Sequence, residues 1–247
     1  MGLFDYFSRE SGQKRRKESA LKRVTEMYYK TEERTAALYD MSQLAREEQD
    51  VEAVAIMLRR FDFIAPNHTV DLSEKELTHD LIIGLGTFGI APTQAFCRKT
   101  AQPIFWQLKI LHQLLEADAF GAWLAELLQS LDTDYHRDPQ KKLSIVQWSG
   151  ELASNPAVIH VTLPFVEDHH EDVRYVAVDA VLKSGRSDSR MMLLQRLAGE
   201  EESRRVLTRL AAGFAEHGWA ISERLDEVRA HLPVEFLVTP DARLKSR

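Results

Sequence analysis

Apolar residues recur along almost the whole chain at the three- and four-residue spacing of a helix with one buried face. Val51, Val54, Ala55 and Leu58 show this spacing clearly. Strand-like alternation is not sustained anywhere, and only residues 234–238 resemble a short extended segment. With 11 glycines and 8 prolines in 247 residues, the chain is also poor in the turn residues that a β architecture needs. The sequence therefore predicts an all-α fold.

The periodic runs predict about thirteen helices. The expected positions are 18–30, 32–47, 50–61, 74–88, 92–99, 102–117, 119–131, 138–153, 155–167, 170–184, 187–199, 201–217 and 218–231. Ser73-x-x-Glu76 has the spacing of a capping box at a helix start. Pro156 lies at the start of a periodic run, and Gly185 and Gly218 follow the ends of two others. Helices this short must bury their apolar faces on sequence neighbours.

An internal repeat of 30 to 33 residues runs through the second half of the chain. A shift of 33 residues aligns Asp168 with Glu201 and Val173 with Val206. A shift of 30 residues in the other direction aligns Val173 with Leu143. A fixed period that contains two helices is typical of stacked helical hairpins, which form a solenoid.

The segment Glu167-Asp168-x4-Val173-Arg174, followed by Ala177 and Ala180, resembles HEAT and HEAT-like repeats. In those repeats a turn aspartate precedes a Val-Arg pair that opens the second helix. The likeness is strongest over residues 155–185, whereas the part before residue 118 matches only in helix rhythm. The resemblance implies a right-handed α-solenoid of about six hairpins with a closing C-terminal helix.

The chain is also similar to uncharacterised bacterial HEAT-repeat proteins. The shared segments are Arg60-Phe-Asp-Phe63, Trp106-Gln-Leu-Lys109 and Tyr135-x-Arg-Asp-Pro-x-Lys-Lys142. This resemblance implies an interaction module without an assigned activity.

Asp168 and Arg174 are expected to hold neighbouring repeats in register. Asp168 falls in the turn before a helix, where its carboxylate accepts backbone N–H groups and favours the positive helix end. Arg174, one turn later, is within reach of a carboxylate of its own or the adjacent repeat. An alternative role for Arg174 is ligand binding.

The chain divides by composition into three parts: a basic N-terminal segment over 1–17, the HEAT-like solenoid over 18–231 and a C-terminal tail over 232–247. Residues 1–30 carry a net charge of +4, while the remaining 217 residues carry −10. The run Lys14-Arg-Arg-Lys17 suits an acidic partner or an anionic membrane surface. The alternative is a solvated, frayed terminus.

Catalytic and cofactor chemistry finds little support in the residues. Gly84-Leu-Gly86-Thr-Phe-Gly89 has the dinucleotide-binding spacing but follows a predicted helix instead of a strand. His170-Glu171 is a single His-Glu pair, whereas deoxyhypusine hydroxylases, which are HEAT-repeat enzymes, build a two-iron centre from several. We therefore expect no catalytic residue, no metal ligand and no cofactor.

The expected compartment is the cytoplasm. The single cysteine, Cys97, excludes an internal disulfide, and no apolar run approaches the ~20 residues of a membrane span. Met1 to Phe7 lacks the features of a signal peptide or a myristoylation motif.

The function predicted from the sequence is non-catalytic binding of a protein partner on the curved face of the solenoid. Assuming that the second helices stack in parallel, one exposed band would combine aromatic and charged side chains, the composition of interaction hot spots. Its candidate residues are Trp106, Lys109, Gln113, Lys141, Trp148, Tyr175 and Asp179. In the helix 102–117, Phe105, Leu108, Leu111 and Leu115 are expected to form the buried stripe. The alternative for Trp106 and Trp148 is that each fills the space between repeats.

A competing function is DNA binding or repair, because alkylpurine DNA glycosylases are HEAT-like solenoids of similar length. Four tryptophans would supply the aromatic groups of such a site. A net charge of −6 argues against the basic groove that it needs, since contacts to phosphates supply most of nucleic-acid affinity. The sequence therefore argues against nucleic acid as a partner, and it leaves the oligomeric state open.

Overall fold

The computed structural model describes residues 3–199 and 201–247, with side chains from residue 11 onward. The described residues form thirteen α-helices and one small β-hairpin, so the all-α prediction is confirmed. The first seven helices are α1 Leu3–Thr25, α2 Thr31–Glu48, α3 Val51–Leu58, α4 His68–Ile83, α5 Ile90–Lys99, α6 Phe105–Leu114 and α7 Ala117–Gln129. The others are α8 Gln140–Trp148, α9 Pro156–Thr162, α10 Glu171–Lys183, α11 Arg190–Ala198, α12 Arg204–His217 and α13 Leu225–His231.

Side-chain caps set several of the helix starts. Asp50 accepts a hydrogen bond from the Ala53 amide at the start of α3. Asn155 caps α9, whose first residue is Pro156 as predicted, and Ser203 caps α12. Each cap satisfies backbone N–H groups that have no partner inside the helix.

The predicted capping box at Ser73 and Glu76 is wrong. Helix α4 begins at His68, and the side chain of Asn67 accepts a hydrogen bond from the Val70 amide, 3.2 Å away. Asn67 thus satisfies the free N–H groups two turns earlier, and Ser73 and Glu76 lie exposed within the helix.

The prediction that the first helix begins near residue 18 is also wrong. Helix α1 begins at Leu3, so the basic run lies inside it. Lys17 Nζ lies 3.0 Å from Asp50 Oδ2 and also contacts Glu52, and Arg16 lies 3.5 Å from Asp40. These carboxylates belong to α2, α3 and the N-cap of α3, so Arg16 and Lys17 of the basic run pair within the fold. The boundary between residues 17 and 18 therefore falls inside a helix.

The chain separates into two compact units, Met1–Phe120 and Gly121–Arg247, and the division falls within α7. In the first unit, α1 packs against α3 and α3 against α5, while α2 packs against α4 and α4 against α6. These two rows of helices face each other through the pairs α1–α2, α3–α4 and α5–α6. Their shared core includes Leu38, Met41, Val54, Met57 and Ile82, all fully buried.

In the second unit, α10 packs between α8 and α12, and α11 packs against α12 and α13. Gly213 on α12 packs closely against Leu182 on α10. A Cβ atom at this position would lie 2.8 Å from Leu182 Cγ and closer still to both of its methyl groups. Two neighbouring helices therefore approach at a contact that only glycine allows.

The C-terminal segment is an ordered hairpin that packs on α12. Strand β1, Phe236–Val238, pairs antiparallel with β2, Leu244–Ser246, with Phe236 opposite Ser246. The sequence predicts an extended segment at 234–238, and β1 lies within it. Phe236 and Leu244 are buried, and β2 contacts α12. The segment 232–247 therefore packs against α12 through β2.

Candidate interaction surfaces

An aromatic cluster surrounds the first turn of α6. The ring of Trp106 stacks on Phe61 with centroids 5.7 Å apart and planes 7° from parallel. His79 and Phe105 both meet Trp106 edge-on, at 6.2 Å and 6.0 Å. Lys109 Nζ lies 5.0 Å from the centroid of the Trp106 ring, a cation–π contact. We call Phe61, His79, Phe105 and Trp106 the α6 aromatic cluster.

The exposed face of α6 differs by one residue from the predicted face. Leu108 and Leu111 are fully buried as expected, but Phe105 is 49% exposed and Leu115 only half-buried. The cause is that Ile104, just before the helix, fills the buried position that Phe105 was expected to occupy.

Of the three candidate residues on α6, Lys109 and Gln113 are exposed, and Trp106 is half-buried against the core of the first unit. Phe105, which was not predicted as a site residue, is the exposed aromatic group of this face.

In the second unit, the candidate residues on α10 are engaged by arginines of α12. The Arg205 guanidinium lies 3.8 Å from the Tyr175 ring centroid, and it also pairs with Asp172 at 2.7 Å. Arg209 pairs with Asp179 at 2.9 Å.

Asp179 also forms an ion pair with Lys183, whose Nζ lies 2.9 Å from Asp179 Oδ2. Burial opposes ionisation of the Asp179 carboxyl. Hydrogen bonds from Lys183 and Arg209 outweigh that effect and lower its pKa. Asp179 is therefore a carboxylate that is already used inside the fold.

The candidate residues on α8 are Lys141 and Trp148. Both are half-buried, and α8 packs beside α10. Trp106, Lys109 and Gln113 belong to the first unit, whereas the other four candidates belong to the second. Within the second unit, the structure places Lys141, Trp148, Tyr175 and Asp179 on adjacent helices. A single band through all seven residues stays a prediction.

Sequence reasoning missed Arg205 and Arg209, although a signal for them was present. Arg205 follows Tyr175 by 30 residues, and Arg209 follows Asp179 by the same interval. This interval lies within the internal repeat period. If the repeat period is used to align charged and aromatic residues, and not only apolar ones, it places Arg205 with Tyr175 and Arg209 with Asp179.

Arg174 binds the carboxylate of Glu201 through two nitrogens. Arg174 Nε lies 3.0 Å from Glu201 Oε2, and the terminal nitrogen lies 2.9 Å from Oε1. Arg196 contacts the same carboxylate, which also accepts the Ser203 amide at 2.8 Å. Burial opposes ionisation of the Glu201 carboxyl, but the bonds from Arg174, Ser203 and Arg196 lower its pKa.

Lys142 on α8 and Asp168 repeat this arrangement two helices earlier. Lys142 Nζ lies 2.7 Å from Asp168 Oδ2, and both side chains are buried. Lys142 also donates to the carbonyl oxygens of Asp132 and Asp134, as Arg174 donates to those of Asp168 and His169. In each case one cationic side chain donates hydrogen bonds to carbonyl oxygens in the turn before its own helix. The same side chain pairs with a carboxylate in a later turn of the chain.

A buried ionic cluster in the first unit was not predicted. Arg34 and Arg60 both bind Glu74, and Arg60 also pairs with Asp71 at 2.9 Å. Burial opposes ionisation of the Asp71 carboxyl. Hydrogen bonds from Lys75, the Ala65 amide and Arg60 outweigh that effect and lower the pKa of this carboxyl to about 2.

The cluster explains the segment Arg60-Phe-Asp-Phe63. Arg60 is fully buried, its guanidinium lies 4.2 Å from the Phe63 ring centroid, and it donates to the Phe63 carbonyl at 3.1 Å. Phe61 stacks on Trp106. Arg60, Phe61 and Phe63 therefore each contribute to packing or to the ionic cluster.

Among residues 3–199 and 201–247, no group of three His, Cys, Asp or Glu side chains is arranged to hold a metal ion. Cys97 is fully buried. The glycines at 84–89 lie at the end of α4 and in a short 3-10 helix, away from any strand.

No single helix in the described residues is long and apolar enough to cross a membrane, although His68–Ile83 and Gly86–Lys99, bent by 118°, meet those criteria as a pair. Comparison of the chain with protein-family models, curated proteins and solved structures finds no match.

Proposed function

We propose that the protein is a non-catalytic interaction module that binds a protein partner. The observation that carries this proposal is the α6 aromatic cluster, in which Phe105 is 49% exposed beside a Trp106 that is fixed by three ring contacts. Aromatic and cationic side chains that are already held in place lose little conformational entropy on binding, and they dominate the energy of protein interfaces.

The proposed architecture is a right-handed HEAT-like solenoid of about six hairpins. Two facing rows of helices in the first unit support it, as does the row α8–α10–α12 in the second. The proposed location is the cytoplasm, because the single cysteine is buried and leaves the fold without disulfides.

The test compares proteins captured by the tagged wild-type chain with those captured by Phe105→Ser and Lys109→Glu variants. Tyr39→Ser is the matched control, since Tyr39 is 54% exposed in the same unit. We expect the α6 variants to lose a defined set of partners that the control retains, at unchanged circular dichroism. Identical capture by all four proteins would contradict the proposal. Trp106→Ala is less informative, because Trp106 also packs against the core.

A further inference from the structure

A groove of about 310 Å³ runs between α3 and α5 on the first unit. Its α3 side carries Val51, Ala55 and Arg59, which are spaced four residues apart along the helix. At ~1.5 Å per residue, this lining extends over about 12 Å, or two helical turns. That length accommodates two turns of a helix or three to four residues of extended chain.

The floor of the groove is apolar and firmly supported. Val51 is 54% exposed, which is unusual for a valine on a helix that otherwise buries most of its apolar residues. On the α5 side, Ala95 lies exposed at the surface, and Phe96 packs against the core cluster. The Phe96 ring is fixed by the core, and Ala55 and Ala95 are small, so the groove leaves space for apolar side chains of a partner.

The charged groups that line the groove are both cations. Arg59 lies at the end of α3 and Lys99 at the end of α5, and both are exposed. Lys99 forms no ion pair with any described residue, and one nitrogen of Arg59 lies 2.9 Å from Asp62. An arginine has five N–H donors, so this contact leaves Arg59 able to bind a further carboxylate.

The surrounding sequence strengthens the positive character of this side. Between Asp80 and Glu116 the chain contains no acidic residue, whereas it contains Arg98, Lys99 and Lys109. At the opposite end of the α3 lining, Asp50 and Glu52 are both paired with Lys17. These two carboxylates are therefore already paired with a cation.

We propose that this groove binds a peptide segment of a partner protein in which apolar side chains are flanked by aspartate or glutamate. The apolar side chains would lie over Ala55, Ala95 and Phe96, and the carboxylates would pair with Arg59 and Lys99. None of the residues of the α6 aromatic cluster lines the groove. The proposal adds a partner chemistry to the interaction function but stands on its own observations.

The experiment selects binders from a random 12-residue peptide library displayed on phage, with the full chain immobilised. We expect enrichment of peptides that combine Leu, Ile or Phe with adjacent Asp or Glu. Fluorescence anisotropy then measures the affinity of one enriched peptide for each variant. Binding should weaken about tenfold in Lys99→Glu, since a favourable rim charge becomes repulsive, and it should weaken as salt rises.

Two further variants make the result specific. Ala95→Trp fills the groove without a change of charge and should abolish binding. Lys245→Glu makes the same charge reversal at an exposed lysine of β2 and should leave the affinity unchanged. No enrichment of acidic apolar peptides, or equal weakening by Lys99→Glu and Lys245→Glu, would overturn the proposal. A wild-type dimer that Ala95→Trp dissociates in size-exclusion chromatography would overturn it in favour of a second copy. Loss of partner capture in Phe105→Ser bears only on the α6 surface, so the two proposals can fail separately.

Discussion

Glu201 receives two arginines from different helices, and this residue makes the repeat contacts testable one side chain at a time. Arg174→Ala should destabilise the protein by about 1–3 kcal/mol, because it removes two charged hydrogen bonds from a buried carboxylate. Asp168→Ala should cost a similar amount, because it leaves Lys142 buried without its carboxylate. Urea denaturation monitored by circular dichroism measures both.

Arg229→Ala is the control for these variants. Arg229 lies 3.8 Å from Asp226, and both side chains are largely exposed, so the loss should be close to zero. If Arg174→Ala and Arg229→Ala shifted the urea midpoint equally, Arg174 would have no part in holding the second unit together.

Asp71 gives the first unit an acid-sensitive contact. Its pKa falls from 3.8 to about 2 in the fold, so the stabilisation is present above pH 4 and is lost as the pH falls towards 2. Asp71→Asn should therefore destabilise the protein by about 2 kcal/mol at pH 7 and by much less at pH 2.

Urea midpoints of the wild type and of Asp71→Asn across this pH range check the prediction. Asp226→Asn is the matched control, because Asp226 is 97% exposed. A difference between wild type and Asp71→Asn that stayed constant with pH would show that ionisation of Asp71 contributes nothing.

At the scale of elements, the contact between α10 and α12 depends on a missing side chain. Gly213→Ala should destabilise the second unit by about 1–3 kcal/mol, because the new Cβ collides with the buried Leu182. Gly12→Ala is the matched comparison, since no described atom beyond its chain neighbours and the backbone of α1 lies within 4 Å of a Cβ placed there. That variant should stabilise α1 by about 0.5–1 kcal/mol. Thermal melts should move in opposite directions, and a shift of both to higher temperature would disprove the close approach.

The helices were predictable because each one buries a stripe of its own sequence, and the 3.6-residue period records that stripe. The start of α4 was not predictable, because Asn67 and Ser73 are both good caps and the local sequence does not distinguish them. Phe105 was predicted to be buried, but the neighbouring Ile104 takes that buried position instead. The apolar spacing alone does not decide between two adjacent apolar residues. Arg174 lies 27 residues from Glu201, and Arg205 lies 30 residues from Tyr175. At such separations local patterns carry no information beyond the repeat period.

At the scale of the whole molecule, the acidic charge balance sets the expected behaviour towards nucleic acid. The net charge is −6, so few phosphate contacts are available to release counterions. We expect duplex DNA to bind no more tightly than ~10⁻⁴–10⁻⁶ M at physiological salt. A mobility-shift assay at about 150 mM salt checks this. Nanomolar binding would favour the DNA-repair alternative over the interaction module.

The ionic cluster of Arg34, Arg60, Asp71 and Glu74 also limits how α2 and α4 can slide past each other. An apolar face tolerates a shift by one helical turn, because one leucine replaces another at little cost. A shift of α4 by one turn, about 5.4 Å, would carry Glu74 out of reach of both arginines and leave buried charges unpaired. We therefore expect the cluster to fix the register of α2 against α4, whatever its net contribution to stability.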